Sequence, residues 1–254
     1  MEQVSPEQGN TEPGPLDPAN ERDASALLTR AAWLQALALA VGWPAAGHAA
    51  SVCKALERVP RRNEPTLDTA LAATLAAWRA AEEERLQYSY IRLFSGTGPC
   101  PPHETSYGDA RRLGGPETEL ADISGFYAAF GIEVTGPMAD LPDHLASELE
   151  FQSSLLVKAA YARVNGWPER QRIAQQAARD FCEHHLGRWV GAFREAVEAA
   201  EAMTPYLETA RLIEAALQHE CARLGANPSA VHGRVPVSSA EALSCARAEE
   251  PPAP

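Results

Sequence analysis

Phosphate cradles, nucleophile elbows and zinc-ligand spacings are all missing from this 254-residue chain. Neither GxxxxGK[ST] nor GxGxxG occurs, so no glycine-rich loop is present to hold a nucleotide phosphate. GxSxG is absent, and nothing in the sequence offers a base to Cys100, which precedes Pro101. HExxH is absent too. The five cysteines (Cys53, Cys100, Cys182, Cys221, Cys245) are scattered, odd in number and never spaced as CxxC. That spacing carries no disulfide framework and no zinc ribbon. Long apolar runs are also lacking: residues 31–43 are apolar but too short to span a bilayer, and no longer candidate exists. Basic charge is scarce, with a net −12 and a pI near 5.1. Counterion-displacing nucleic-acid binding and docking on anionic membrane are therefore excluded, whereas basic peptides would be steered inward. The N-terminal residues are acidic and carry no apolar stretch, so no secretory signal is expected and a cytoplasmic location is.

What is present is helical periodicity. Hydrophobic residues make up 45% of the chain, enough at this length to bury a sizeable core. Residues 1–22 hold four prolines and almost no large apolar side chains, which predicts a disordered N-terminal tail. Residues 226–254 are similar, although 231–237 could dock in a groove. The helical domain is thus expected over residues 23–225. Asp23 is a candidate N-cap for a helix to Val41, and further helices are predicted over 47–59, 65–94 (bent near Trp78) and 117–130. Pro142 is expected in the first turn of the next, capped by Asp140 and running to 165. Pro168 and Pro205 open two more, with Gly187 interrupting a helical stretch between them. No period-2 strand and no internal repeat occurs. The expected fold is all-α, a single-domain bundle of roughly eight to ten helices.

Two segments stand out. PPHETSYG, residues 101–108, is a proline-held loop that fixes His103, Glu104, Ser106 and Tyr107 in position. Tyr107 offers a ring and a hydroxyl for gripping a peptide; alternatively it plugs the core, with Ser106 capping a turn. LPDHLASELEF, residues 141–151, puts His144 and Glu148 on one helix face, with Asp143 at the first turn. His144 is expected at the boundary of core and cleft, beside acids able to hold it charged. Asp143 and Glu148 read equally as a cap and a brace for the helix, and the pattern alone favours that structural role. Glu148 and Glu150 lie on different faces, so they form no catalytic carboxylate pair. Tyr90, Leu93 and Phe94 fall on the core side of their helix, leaving Tyr88 and Arg92 on a side that could be open. His185 recurs with Phe181 and Trp189 at four-residue spacing, which turns it inward. A metal reading would need Cys182, His184, His185 and His103 or Cys221 to converge, and no pair among them has a recognised spacing.

Taken in order, YxRLFxG, the PPHETSYG loop, GFYxAFG, PDHLxxELEF and HLGxW resemble the TorD/DmsD/NarJ chaperones that mature molybdenum oxidoreductases. The resemblance spans residues 23–225, and its wording is similar to the branch serving DMSO-reductase-superfamily respiratory enzymes. It implies an all-helical fold with no catalytic centre, metal or cofactor. The implied function is cytoplasmic. The chaperone binds the twin-arginine signal peptide and apo form of a catalytic subunit until molybdopterin cofactor is inserted, then releases it to Tat export. Proteins of molybdenum-cofactor biosynthesis are implied as further partners. By the resemblance, Pro142, Asp143, His144 and Glu148 belong to the peptide-binding segment, with Ser106 and Tyr107 in the loop lining the same cleft. His103 and Glu104 would reflect the particular client. An acidic rim on an apolar groove would complement paired arginines beside an apolar run. Asp143→Ala or His144→Ala should then weaken binding and leave stability nearly unchanged. The rival functions are a generic helical peptide-binding adaptor and a metal-dependent enzyme using His103, His144 and His185.

Overall fold

A computed structural model describes residues 18–61, 64–96, 98–108, 115–134 and 142–234. Within them the chain forms nine α-helices: α1 (Pro18–Ala40), α2 (His48–Arg58), α3 (Pro65–Arg79), α4 (Glu83–Phe94), α5 (Gly115–Ala129), α6 (Leu145–Val164), α7 (Pro168–Phe181), α8 (Gly187–Ala199) and α9 (Thr204–Leu224). No strand occurs among the described residues, only isolated bridges. The all-helical expectation holds.

The core follows from the helical period. Leu27, Ala31, Leu34 and Ala38 recur on one side of α1 and are buried, and α1 packs against α6. Helix α6 in turn packs on α7, α3 on α9, and α8 on α9. Two of the polar contacts inside join helices: Trp78 Nε1 donates to Thr209 Oγ1 at 2.9 Å, and Tyr206 Oη donates to the Leu86 carbonyl at 3.0 Å. Arg30 of α1 forks onto the buried Glu220 of α9.

Several boundaries differ from those the sequence predicts. Helix α1 starts at Pro18, so residues 18–22 of the expected tail are helical. Asp23 therefore caps nothing; it lies inside α1 and pairs with Arg163 of α6. The predicted 65–94 helix is two helices. The chain breaks at Ala80–Glu82, and Glu83 and Glu84 then favour the positive N-terminal end of α4. Pro142 does not open α6 but sits in a turn three residues ahead of it, while Asp140 lies outside the described residues.

Past α9, residues 226–234 return across α8. Val231 N donates to the Arg188 carbonyl at 3.0 Å, Gly108 N donates to the Gly233 carbonyl at 3.2 Å, and Arg234 bridges Tyr107. The first part of the expected C-terminal tail is thus a docked strap; residues 235–254 lie outside the described residues.

Between α7 and α8 the backbone widens into a π segment, Cys182–Leu186. Gly187 closes it: a Cβ there would lie 2.5 Å from the Cys182 carbonyl oxygen and 3.0 Å from Cys221 Sγ. The wide turn aims His185 at the end of the bundle where both singled-out segments meet.

Candidate functional site

All eight residues singled out in the sequence come together at one end of the bundle. After α4 the chain turns back under itself: Cys100 N donates to the Leu93 carbonyl at 2.9 Å. A side chain on Gly98 would stand 2.6 Å from that same carbonyl oxygen, so the turn requires glycine. The loop then runs antiparallel to the start of α6. Leu145 N donates to the Pro102 carbonyl at 2.8 Å and Glu104 N to the Asp143 carbonyl at 3.0 Å, with His103 bridged to His144.

Asp143 fastens this pairing with its side chain. Its carboxylate accepts from Thr105 Oγ1 at 2.7 Å and Thr105 N at 3.2 Å, and pairs with His103 Nδ1 at 3.2 Å. Burial alone would raise the Asp143 pKa; the contacts from His103 and Thr105 outweigh it and hold the carboxyl below its ordinary value. His144 is the N-cap of α6, and its Nδ1 accepts from Ala146 N at 3.1 Å. A ring nitrogen supplies the lone pair that Asp or Asn oxygen supplies elsewhere, which requires a neutral imidazole at that nitrogen. Burial, with the nearby His103 charge, pulls His144 down to about 3. The expectation of a charged His144 at a cleft boundary is overturned. Desolvation defeats the neighbouring acid, and it is His103 that pairs with Asp143.

Glu104 and Glu148 are also interior residues, both 0% exposed. Glu148 Oε2 accepts from Trp189 Nε1 at 3.1 Å, while its Oε1 has no partner. Burial, reinforced by the Glu104 charge, raises the Glu148 pKa well above a carboxylate's ordinary value. Glu104 Oε2 meets His185 Nδ1 at 3.1 Å and is pushed up to about 7 by burial, partly offset by His185 and reinforced by Glu119. His185 is raised, because Glu104, Asp122 and Glu119 together outweigh the burial that would lower it. Tyr107 plugs the core: it stacks on Trp189 with ring centroids 5.4 Å apart and meets Phe193 edge-on. Tyr127 Oη donates to the Pro142 carbonyl at 2.7 Å, tying α5 to the turn.

The predicted acidic rim therefore does not exist in the form expected. Asp143, Glu104 and Glu148 point inward, and the surface above them consists of His103, Thr105, Ser106 and Pro142, each part-exposed. Beside Pro142 opens a cavity of about 410 Å³, lined by Ser124, Tyr127, Ile132 and Val134 among others. Tyr127 and Trp189 join the site from the GFYxAFG and HLGxW motifs and Thr105 from the loop, whereas Glu119 and Asp122, which face His185, were not singled out by the sequence. Of the cysteine and histidine set considered for metal, Cys182 faces Cys221 while His184 is exposed and pairs with the Asp180 carbonyl. Tyr88 stands open at 72% exposure, and Tyr90, Leu93 and Phe94 are buried, as the helical spacing predicts.

Comparison with known proteins gives consistent similarities. A family model described as "Nitrate reductase delta subunit" matches residues 61–195, a stretch containing both segments and His185. The chlorate reductase assembly chaperone protein of Ideonella dechloratans is 30% identical over 162 residues, covering 60% of this chain and 82% of the relative. The selenate reductase assembly chaperone protein of Thauera selenatis is 30% identical over 122 residues, or 48% and 62%. A TorD chaperone of Vibrio cholerae is 29% identical over 120 residues, 47% of this chain and 52% of TorD. A solved Archaeoglobus fulgidus protein, described as a redox enzyme maturation protein, overlaps 74% of this chain and 93% of its own at a TM-score of 0.49 and 19% identity.

Proposed function

Because this chain belongs to the nitrate reductase delta subunit family, the TorD/NarJ chaperones, we propose that it assembles a molybdenum oxidoreductase in the cytoplasm. Its client is the apo catalytic subunit, recognised through a twin-arginine signal peptide, held while molybdopterin cofactor is inserted, then released for export. The observation that carries this reading is the match over residues 61–195 together with relatives named as reductase assembly chaperones. Those relatives are named for assembly, not catalysis, and no helix among the described residues is long and apolar enough to cross a membrane.

The geometry supports a division of labour within the site. His103, Ser106 and Pro142 have exposed surface and are the contact residues for the peptide, next to the cavity under Pro142. Asp143, His144, Glu104, Glu148 and Tyr107 are buried and act by positioning that surface. The acidic character that attracts arginine comes from the net charge of −12 and from exposed acids at the edge, Asp122 and Glu133, not from the buried carboxylates.

The test is recovery of the tagged full chain from its native host, with bound proteins identified by mass spectrometry. The expected partner is a molybdopterin oxidoreductase subunit with its twin-arginine leader uncleaved. In titration against that leader, replacing both arginines with glutamine should weaken binding at least about tenfold, as two charge-assisted contacts would. His103→Ala should weaken it and, because the buried Asp143 then loses one of its partners, should also lower the melting temperature. Equal affinity for the arginine and glutamine peptides would turn the reading into that of a generic helical adaptor.

A further inference from the structure

Beneath the loop, three ligand-type side chains from three separate segments converge: Glu104 of the loop, Glu119 of α5 and His185 of the π segment. One ligand atom from each lies within 4.8 Å of the other two. His185 Nδ1 stands 3.1 Å from Glu104 Oε2 and 4.0 Å from Glu119 Oε1. A tetrahedral ion with bonds of about 2.0–2.1 Å sets its ligand atoms about 3.4 Å apart, so small side-chain movements would complete the shell. The second ring nitrogen is already oriented, with His185 Nε2 3.2 Å from Asp122 Oδ2. A carboxylate holding the far nitrogen of a ligating imidazole is the usual outer partner at such centres, where it fixes the tautomer and strengthens the ligand.

An independent observation also points to a missing cation. Glu104 is 0% exposed, and its Oε1 has no hydrogen-bond partner although it shares a carboxyl group with the oxygen that meets His185. The Glu119 carboxyl lies within hydrogen-bonding reach of Glu104. Two carboxylates cannot share such a spot without a proton or a cation between them. Arg188 reaches Glu119 at 3.7 Å, and a metal ion would take the place of the proton that His185 Nδ1 otherwise presents to Glu104.

We propose that Glu104, Glu119 and His185 form a binding site for one divalent first-row transition-metal ion, with Asp122 as the positioning partner of His185. One imidazole and two carboxylates suit Zn²⁺, Fe²⁺ or Mn²⁺, whereas Mg²⁺ would favour an all-oxygen shell. Three protein ligands leave one position of a tetrahedral shell for water. The ion clasps α5 to the body of the bundle. The ion would add to the existing hold of that helix, which buries Ile123 and Tyr127 and sets Phe126 against Phe151 and Phe181.

The test uses the purified full chain, stripped with a chelator and titrated with Zn²⁺ calorimetrically and with Co²⁺ by visible absorption. Expected are one ion per chain, a Co²⁺ spectrum of nitrogen and oxygen ligation, and slowed amide exchange confined mainly to α5. Glu119→Gln should weaken binding by more than about tenfold, and Asp122→Asn by about 10-fold or more. Both substitutions keep the size and shape of the side chain, so the metal-free variants should melt within a few degrees of the parent. Absence of stoichiometric binding at about 100 μM ion would overturn the site. So would affinity unchanged in Glu119→Gln, or a thiolate charge-transfer band, which would move the ion to Cys182 and Cys221.

Discussion

His144 shows how one buried ring can set a pH limit on the fold. Its folded pKa, about 3, lies below the ordinary value of 6.5. The unfolded chain therefore takes up a proton that the folded chain refuses. Stability is complete above about pH 6.5 and falls as pH drops toward 3, by a few kcal/mol in all. His144→Asn keeps an N-cap acceptor and removes the titration, so its urea midpoint should change less between pH 7 and pH 4.5 than the parent's. A parallel change in both proteins would refute the assignment. Asp143, with its depressed pKa, contributes stability above the ordinary carboxylate range and loses it as pH falls through the folded value. Asp143→Ala removes the acceptor for Thr105 and His103 and should cost about 2–3 kcal/mol in urea denaturation. That replaces the sequence-based expectation of an unchanged melting temperature: the residue braces the loop, and any loss of peptide binding in this variant follows from a displaced surface. The convergence of His103, Glu104, Ser106, Tyr107, Pro142, Asp143, His144 and Glu148 was legible from the resemblance. The burial of Glu104, Asp143, His144 and Glu148 was not, because helix periodicity places a residue on a face without saying what covers it.

Periodicity and proline placement do locate the elements themselves. Pro65, Pro168 and Pro205 sit in the first turns of α3, α7 and α9. The break between α3 and α4 escaped because Ala80–Ala81–Glu82 contains no glycine or proline to mark it. Gly187 was legible as an interruption, but the π segment was not, since an added residue in a helical turn leaves the apolar spacing nearly unchanged. Within a helix, Gly→Ala ordinarily stabilises by about 0.5–1 kcal/mol. At Gly187 the sign should reverse, because the new Cβ meets the Cys182 carbonyl oxygen, part of the backbone. Gly191, four residues on, is the control: its Cβ would meet only the flexible end of Glu214, at 3.3 Å. Thermal denaturation of the two alanine variants should move in opposite directions. A stabilised Gly187→Ala would mean that the π segment relaxes to a regular helix.

For the molecule as a whole, the strap 226–234 ties the end of α9 back to the loop, passing Pro228 over Cys221 and Gly187. Cys100, Cys182 and Cys221 are buried beneath these contacts or in the adjoining core. In a Cys53→Ser, Cys245→Ser background, Val231→Asp should undock the strap and raise thiol labelling at least about tenfold, with helicity by circular dichroism retained. An unaltered labelling rate would show that the helices alone shield these thiols. The antiparallel seam between residues 102–104 and 143–145 has a different consequence. It pins together the two ends of a detour that contains α5 and lends Tyr107, Ile123 and Tyr127 to the core. Lengthening a stretch whose ends are already closed costs only about 0.6 kcal/mol per doubling. Changes of length in the detour's connecting stretches should therefore be inexpensive for the scaffold so long as Tyr107, Ile123 and Tyr127 keep their places, making these the points where one helical frame is altered at least cost.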